Sequence, residues 1–228
     1  MSTYLELCQK VARKSGTLSG TVPTTIFGQT GRLAKIVDWV DDAWQEIQND
    51  EDTWLWMRKE WSGSLILSTA RYTPASFSIT NHAKWLTHPG ALWLYDTDVG
   101  LSDEYMLRFI TWDAWRQMYG RGAQTDDKPV DYTVSPAGEL CFGPIPDKTY
   151  AVRGDYQQTV QALEANDDTP LMPARFHRAI QYKALTYLFD HDEAWNQYAT
   201  TEKNLRGIMR DLRRDQLPQI TIESDPIA

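Results

Sequence analysis

The most regular stretch of the chain runs from Leu33 to Ile47. Leu33, Ile36, Val37, Val40, Trp44 and Ile47 recur at about 100° per residue, with Lys35, Asp38, Asp41, Asp42 and Gln45 on the opposite side. That period predicts an amphipathic helix with one face for a core. Trp39 sits at the edge of the apolar stripe, where its own core covers a large ring only in part. It is either a boundary residue or an interface aromatic. Upstream, Thr3-Tyr4-Leu5-Glu6 fits a capping box, with Leu5, Cys8 and Val11/Ala12 following at helical spacing. Gly16 stands where a helix stop is expected, and residues 16–31, rich in Gly, Ser and Thr, read as a loop.

Helical periods return near the other end. Pro170 and Pro173 precede Phe176, Ile180, Ala184 and Tyr187/Leu188, with Pro173 placed where a first turn tolerates proline. Asp190-His191-Asp192-Glu193 reads as a polar turn. Then Ala194, Tyr198, Thr201, Leu205, Ile208 and Leu212 form a seam suited to packing inside a bundle. Gly207 within that helix suggests a close backbone approach.

Between these ends the period shortens. Residues 61–67, 91–95, 105–110, 131–134, 140–142 and 150–157 read as strands separated by Pro- and Gly-bearing turns. Thr111–Tyr119 reads as one short helix capped by Thr111. The predicted class is α+β: a helical bundle body from N- and C-terminal helices, with an inserted antiparallel β lobe. The expected divisions are 1–53 for the first helices, 54–160 for the lobe, 161–215 for the last helices and 216–228 for an extended tail.

Composition narrows the chemistry. Lys and Arg total 23 against 31 Asp and Glu, a net −8, which argues against a sequence-reading DNA binder. No apolar run is long enough to span a bilayer, and the first residues lack a signal-peptide core. Cys8 and Cys141 fit no metal spacing and read as reduced thiols. No nucleophile elbow, P-loop, HExxH, CxxC or dinucleotide fingerprint occurs, so no catalytic, cofactor or metal residue is assigned. Gly28-Gln29-Thr30-Gly31 has the GxxG spacing of KH loops but reads as a loop and helix start. His82, His88 and His177 each stand alone and read as structural. The cluster 190–193 is rich in metal-ligating types, but consecutive turn residues diverge. The ten tryptophans suit core and interface use; an alternative is a virion-associated peptidoglycan or glycan binder or hydrolase using the Trp-rich β lobe, a hydrolase needing a carboxylate pair from among Asp96, Asp98, Asp103, Glu104 and Asp113.

Two features point outward. Lys203, Arg206, Arg210, Arg213 and Arg214 share one face of the last helix. They serve solubility and the helix dipole, or they meet an acidic neighbour: another subunit or DNA phosphates. A nonspecific nucleic-acid binder is therefore one alternative. Beyond them Leu217, Ile220 and Ile222 lie in a proline-bracketed extended tail, either frayed or built to dock on a partner.

The segments TYLELCQKVARKSG, TGRLAKIVDWVDDAWQEIQND followed by WLWMRKEW, MPARFHRAIQYKAL and LCFGPIPD resemble tailed-bacteriophage head-to-tail adaptor proteins, from about Thr3 to Leu217. The resemblance implies a noncatalytic virion protein of the portal and neck region, assembled in the bacterial host cytoplasm. Such a protein docks under the portal as a ring of twelve copies, extends the DNA channel and offers a platform to neck or tail proteins. The tail, through Leu217, Ile220 and Ile222, would engage the portal. The stripe would face a neighbouring subunit or passing double-stranded DNA, which an acidic wall lets slide without specific binding. Trp39 would be an interface ring.

Overall fold

The computed structural model describes residues 1–16 and 22–218. Along the chain come helices α1 (Tyr4–Lys14) and α2 (Gly31–Asn49), then strands β1 (Arg58–Leu65), β2 (Arg71–Tyr72) and β3 (His82–Trp85). Strands β4 (Leu92–Asp96), β5 (Tyr105–Met106) and β6 (Arg108–Phe109) lead to helix α3 (Trp112–Met118). Strands β7 (Asp131–Val134), β8 (Leu140–Gly143) and β9 (Tyr150–Gln158) precede helices α4 (His177–His191) and α5 (Trp195–Gln216). The fold is α+β, and the chain divides into two compact units: Met1–Met57 with Val160–Ala228, and Arg58–Thr159.

In the helical unit α4 is the central element. Apolar and small residues around most of its circumference are buried, including Ala179, Ile180, Ala184, Leu185, Leu188 and Phe189. A helix buried all round needs neighbours on several sides, and α1, α2 and α5 all pack on it. From α2 come Ile36, Val40, Ala43, Trp44 and Ile47; from α5 come Thr201, Met209 and Leu212. Thr3 caps α1 by accepting from the Glu6 amide at 3.3 Å. The other half of the expected capping box is replaced, since the Glu6 carboxylate pairs with Lys10 at 3.7 Å. Gly16 takes φ +67° just past α1, the left-handed conformation that favours glycine there.

His177 is buried at the start of α4, where Nδ1 accepts from the Ser2 amide at 3.2 Å and Nε2 faces the Met172 carbonyl at 3.0 Å. Burial lowers its pKa and favours the neutral ring, consistent with that tautomer. Gly207 departs from expectation. A Cβ there would meet nothing within 4 Å, so no close backbone approach explains it.

The second unit holds two sheets. One has the order β1-β9-β4-β5, with β3 also pairing β9; the other has the order β2-β8-β7-β6. Trp61, Leu65, Trp85, Leu92, Leu94, Tyr132, Phe142 and Tyr150 are among the residues buried in its core. Thr111 caps α3 as expected, accepting from Ala114 N at 3.4 Å. The expectation of an antiparallel lobe needs one correction, because β6 and β7 run parallel. The chain between them carries α3 and returns to the same end before pairing, as a parallel connection requires. Cys8 and Cys141 are unpaired and buried, and burial raises their thiols to about 12 and about 11 respectively.

Candidate functional site: the charged face of the helical unit

The basic stripe lies on α5 because the opposite side of that helix is committed to the core. Ala194, Tyr198, Leu205, Ile208 and Leu212 pack inward, as the seam predicted, and the cations fall on the remaining faces of the helix. Lys203, Arg206, Arg210 and Arg214 are exposed, while Arg213 is half-buried.

Their charges are partly answered within the unit. Arg206 meets Glu202 at 2.5 Å, and Arg210 and Arg214 each approach Asp211 at 3.6 Å. Arg213 reaches the chain just beyond α2, donating from Nε to Glu51 at 2.8 Å and also pairing with Asp50. The stripe is thus two things: one arginine tied inward and four cations in solvent. In addition, Arg213 and Arg214 lie in the last turn, where the helix dipole favours cations.

The turn between α4 and α5 is tied to the start of α2. Arg32 donates to both oxygens of Asp192, one contact measuring 2.9 Å, and Lys35 Nζ contacts His191 Nε2 at 2.7 Å. These partners, together with Glu193 at φ +54°, account for the polar cluster 190–193 as a helix-connecting turn. Among the described residues, no three His, Cys, Asp or Glu side chains come together as a metal site.

That junction builds a feature that no local pattern in the sequence signals. Trp39 on α2 is half-buried and meets the His191 ring edge to face at 5.4 Å. Beside them lie Tyr187 and Glu46, joined by a hydrogen bond, and exposed Asp42 and Asp190. The result is an open groove of about 770 Å³ with aromatic and acidic walls. Burial tends to raise the Glu46 carboxyl, but hydrogen bonds from Lys183 and Tyr187 outweigh it and hold the group below its usual range. Asp42 goes the other way. Burial raises it first, and the carboxylates of Asp41, Asp38 and Glu46 add to the rise.

Leu217 caps α5 in an extended conformation and packs partly against the helical core. Ile220 and Ile222 lie outside the described residues.

The acids weighed for glycan chemistry are in the β unit, and four of the five pair with a cation, whereas Asp98 meets Asp96 through its backbone N–H at 2.9 Å. Glu104 pairs with Arg153 at 2.5 Å, Asp103 with Lys128 at 2.7 Å, Asp96 with Lys148, and Asp113 with Arg116 at 3.9 Å. The Lys148 hydrogen bond lowers the Asp96 pKa, and the Lys128 hydrogen bonds lower that of Asp103. A general acid for glycoside cleavage needs the reverse shift.

Most tryptophans serve the two cores. Trp44 and Trp54 are fully buried in the helical unit, and Trp61, Trp85 and Trp115 are buried in the β unit; Trp195 is 60% exposed. Among the described residues no helix is long and apolar enough to cross a membrane. No match was found among curated proteins. A family model described as SU10 adaptor protein matches residues 2–222.

Proposed function

Because the chain belongs to the SU10 adaptor protein family, a family of bacteriophage head-to-tail adaptors, we propose that it is a ring-forming connector between portal and tail. The observation that carries this reading is the reach of the family match over residues 2–222, which takes in both units. In this reading the protein docks on the portal of the virion, extends the DNA channel and gives neck or tail proteins a platform. Its work is mechanical and needs no catalysis. The engagement of Asp96, Asp103 and Glu104 by Lys148, Lys128 and Arg153 supports that reading over glycan hydrolysis.

Net charge supports passage of DNA without retention. A chain at −8, repeated around a ring, repels phosphates on average, and Glu202, Asp211, Asp50 and Glu51 temper the basic stripe. Portal docking falls to the C-terminal tail. Leu217 is partly engaged by its own core, so Ile220 and Ile222 are the stronger docking residues.

Deletion of residues 219–228 tests the assignment without disturbing Leu217. Portal binding is expected to disappear while the far-UV CD spectrum and thermal midpoint stay unchanged. Undiminished binding by the shortened chain would refute the tail's role.

A further inference from the structure

The groove between α2 and α4 has the chemistry of an arginine receptor. A guanidinium is flat, weakly hydrated and rich in N–H donors; it stacks on aromatic faces while its edge bonds carboxylates. Trp39, Tyr187 and His191 supply rings, and Asp42, Glu46 and Asp190 supply carboxylates, around one open volume. Glu46 is already held by Lys183 and Tyr187, whereas Asp42 is exposed in a crowd of like charges that a cation would relieve.

The same unit displays the matching ligand. Arg206, Arg210 and Arg214 stand exposed on α5. The contacts of Arg210 and Arg214 to Asp211 measure 3.6 Å, too long for hydrogen bonds, and exposed pairs of that kind contribute little. A receptor for guanidinium and a row of guanidiniums on one protein are complementary between copies.

We propose that the α2–α4 groove receives the arginine stripe of α5 from a second copy of this chain, joining neighbours head to tail. A contact between two different surfaces of identical subunits propagates and closes into a ring when the rotation permits. The inference rests on the ring-forming reading above and adds to it the surfaces that meet. It also gives the stripe one role of the two open to it: its partner is a neighbouring protein, and DNA is the competing outcome of the test.

The experiment uses full-length Asp42→Arg and Arg210→Glu, each alone, as an equimolar mixture, and combined in one chain. Sedimentation velocity is recorded with and without the portal protein of the same virus. Each single variant is expected to need about tenfold more protein to form rings. The mixture and the double variant recover assembly: alternating single variants, or the double variant alone, place opposite charges across every contact. Both exchanged residues are exposed, and Asp42→Arg removes like-charge crowding, so its thermal midpoint should not fall. Lost assembly with an undiminished midpoint is therefore not unfolding.

Wild-type rings that both single variants form equally well would overturn the contact and leave the ring reading standing. Failure of the double variant to recover would also overturn the contact. An Arg210→Glu variant that assembles normally but loses affinity for duplex DNA would assign the stripe to nucleic acid instead. Absence of rings from folded wild type, with or without portal, would overturn both the contact and the ring reading.

Discussion

Arg213 of α5 donates from Nε to the Glu51 carboxylate at 2.8 Å, fastening the last helix to the chain just beyond α2. Its neighbours Arg210 and Arg214 point to solvent, so residues of one sequence run have different physical roles. Arg213→Ala should lower stability by about 0.2–1 kcal/mol, the range for a partly exposed pair. Urea denaturation measures this. The ring-forming concentration should change less than for Arg210→Glu, and a larger change would place Arg213 in the interface.

Gly207→Ala should stabilise the protein. The added methyl meets nothing within 4 Å, and alanine exceeds glycine in a helix interior by about 1 kcal/mol. For a chain of this size that corresponds to a rise of about 2–4 °C in thermal midpoint. A fall would contradict the open space around this glycine.

Gly63→Ala should do the opposite. Its Cβ would fall 2.3 Å from Phe77 Cδ1, and that ring lies against Trp61 with centroids 4.3 Å apart. Relief requires moving a buried aromatic cluster, at a cost of about 1–3 kcal/mol. Near-UV CD and a melt of the full chain check both the repacking and the loss.

Acid should erase the advantage of Asp192 over asparagine. Hydrogen bonds from Arg32 hold the Asp192 carboxyl below its ordinary range, against the opposing effect of burial. A carboxyl lowered on folding adds stability that is present above the unfolded value of about 3.9 and is lost as pH falls through the folded value. The stability gap between wild type and Asp192→Asn, measured in urea from pH 5 to pH 2, should therefore shrink. A gap that widened on acidification would contradict the pairing.

The sequence carried the helices and most long strands because their information is local. The stripe from Ile36 to Ile47 fixed α2, and the Asp131–Val134 strand appeared at the bounds expected. Short elements were less visible. Strand β2 has only Arg71 and Tyr72, too few residues to show a period, while His82–Trp85 has only Trp85 buried and thus no alternation. The parallel β6–β7 pair depends on where the chain returns after α3, which no period encodes.

The candidate site divides in the same way. The α5 stripe and Trp39 could be singled out because helical spacing places them. The groove could not, since His191 and Tyr187 come more than a hundred residues after Trp39 and meet it only through the packing of α4 on α2. The clue that was present, a run of acids at Asp38, Asp41 and Asp42 beside an edge tryptophan, gains meaning only with those partners.

Assembly of this chain as a ring on the portal is the property on which the proposed function turns. Light scattering coupled to size-exclusion chromatography, on the full chain alone and mixed with the portal of its own virus, measures it. A stoichiometric complex with one ring of this chain per portal ring is the expected result. A native fold that gives no complex at micromolar concentrations would contradict it.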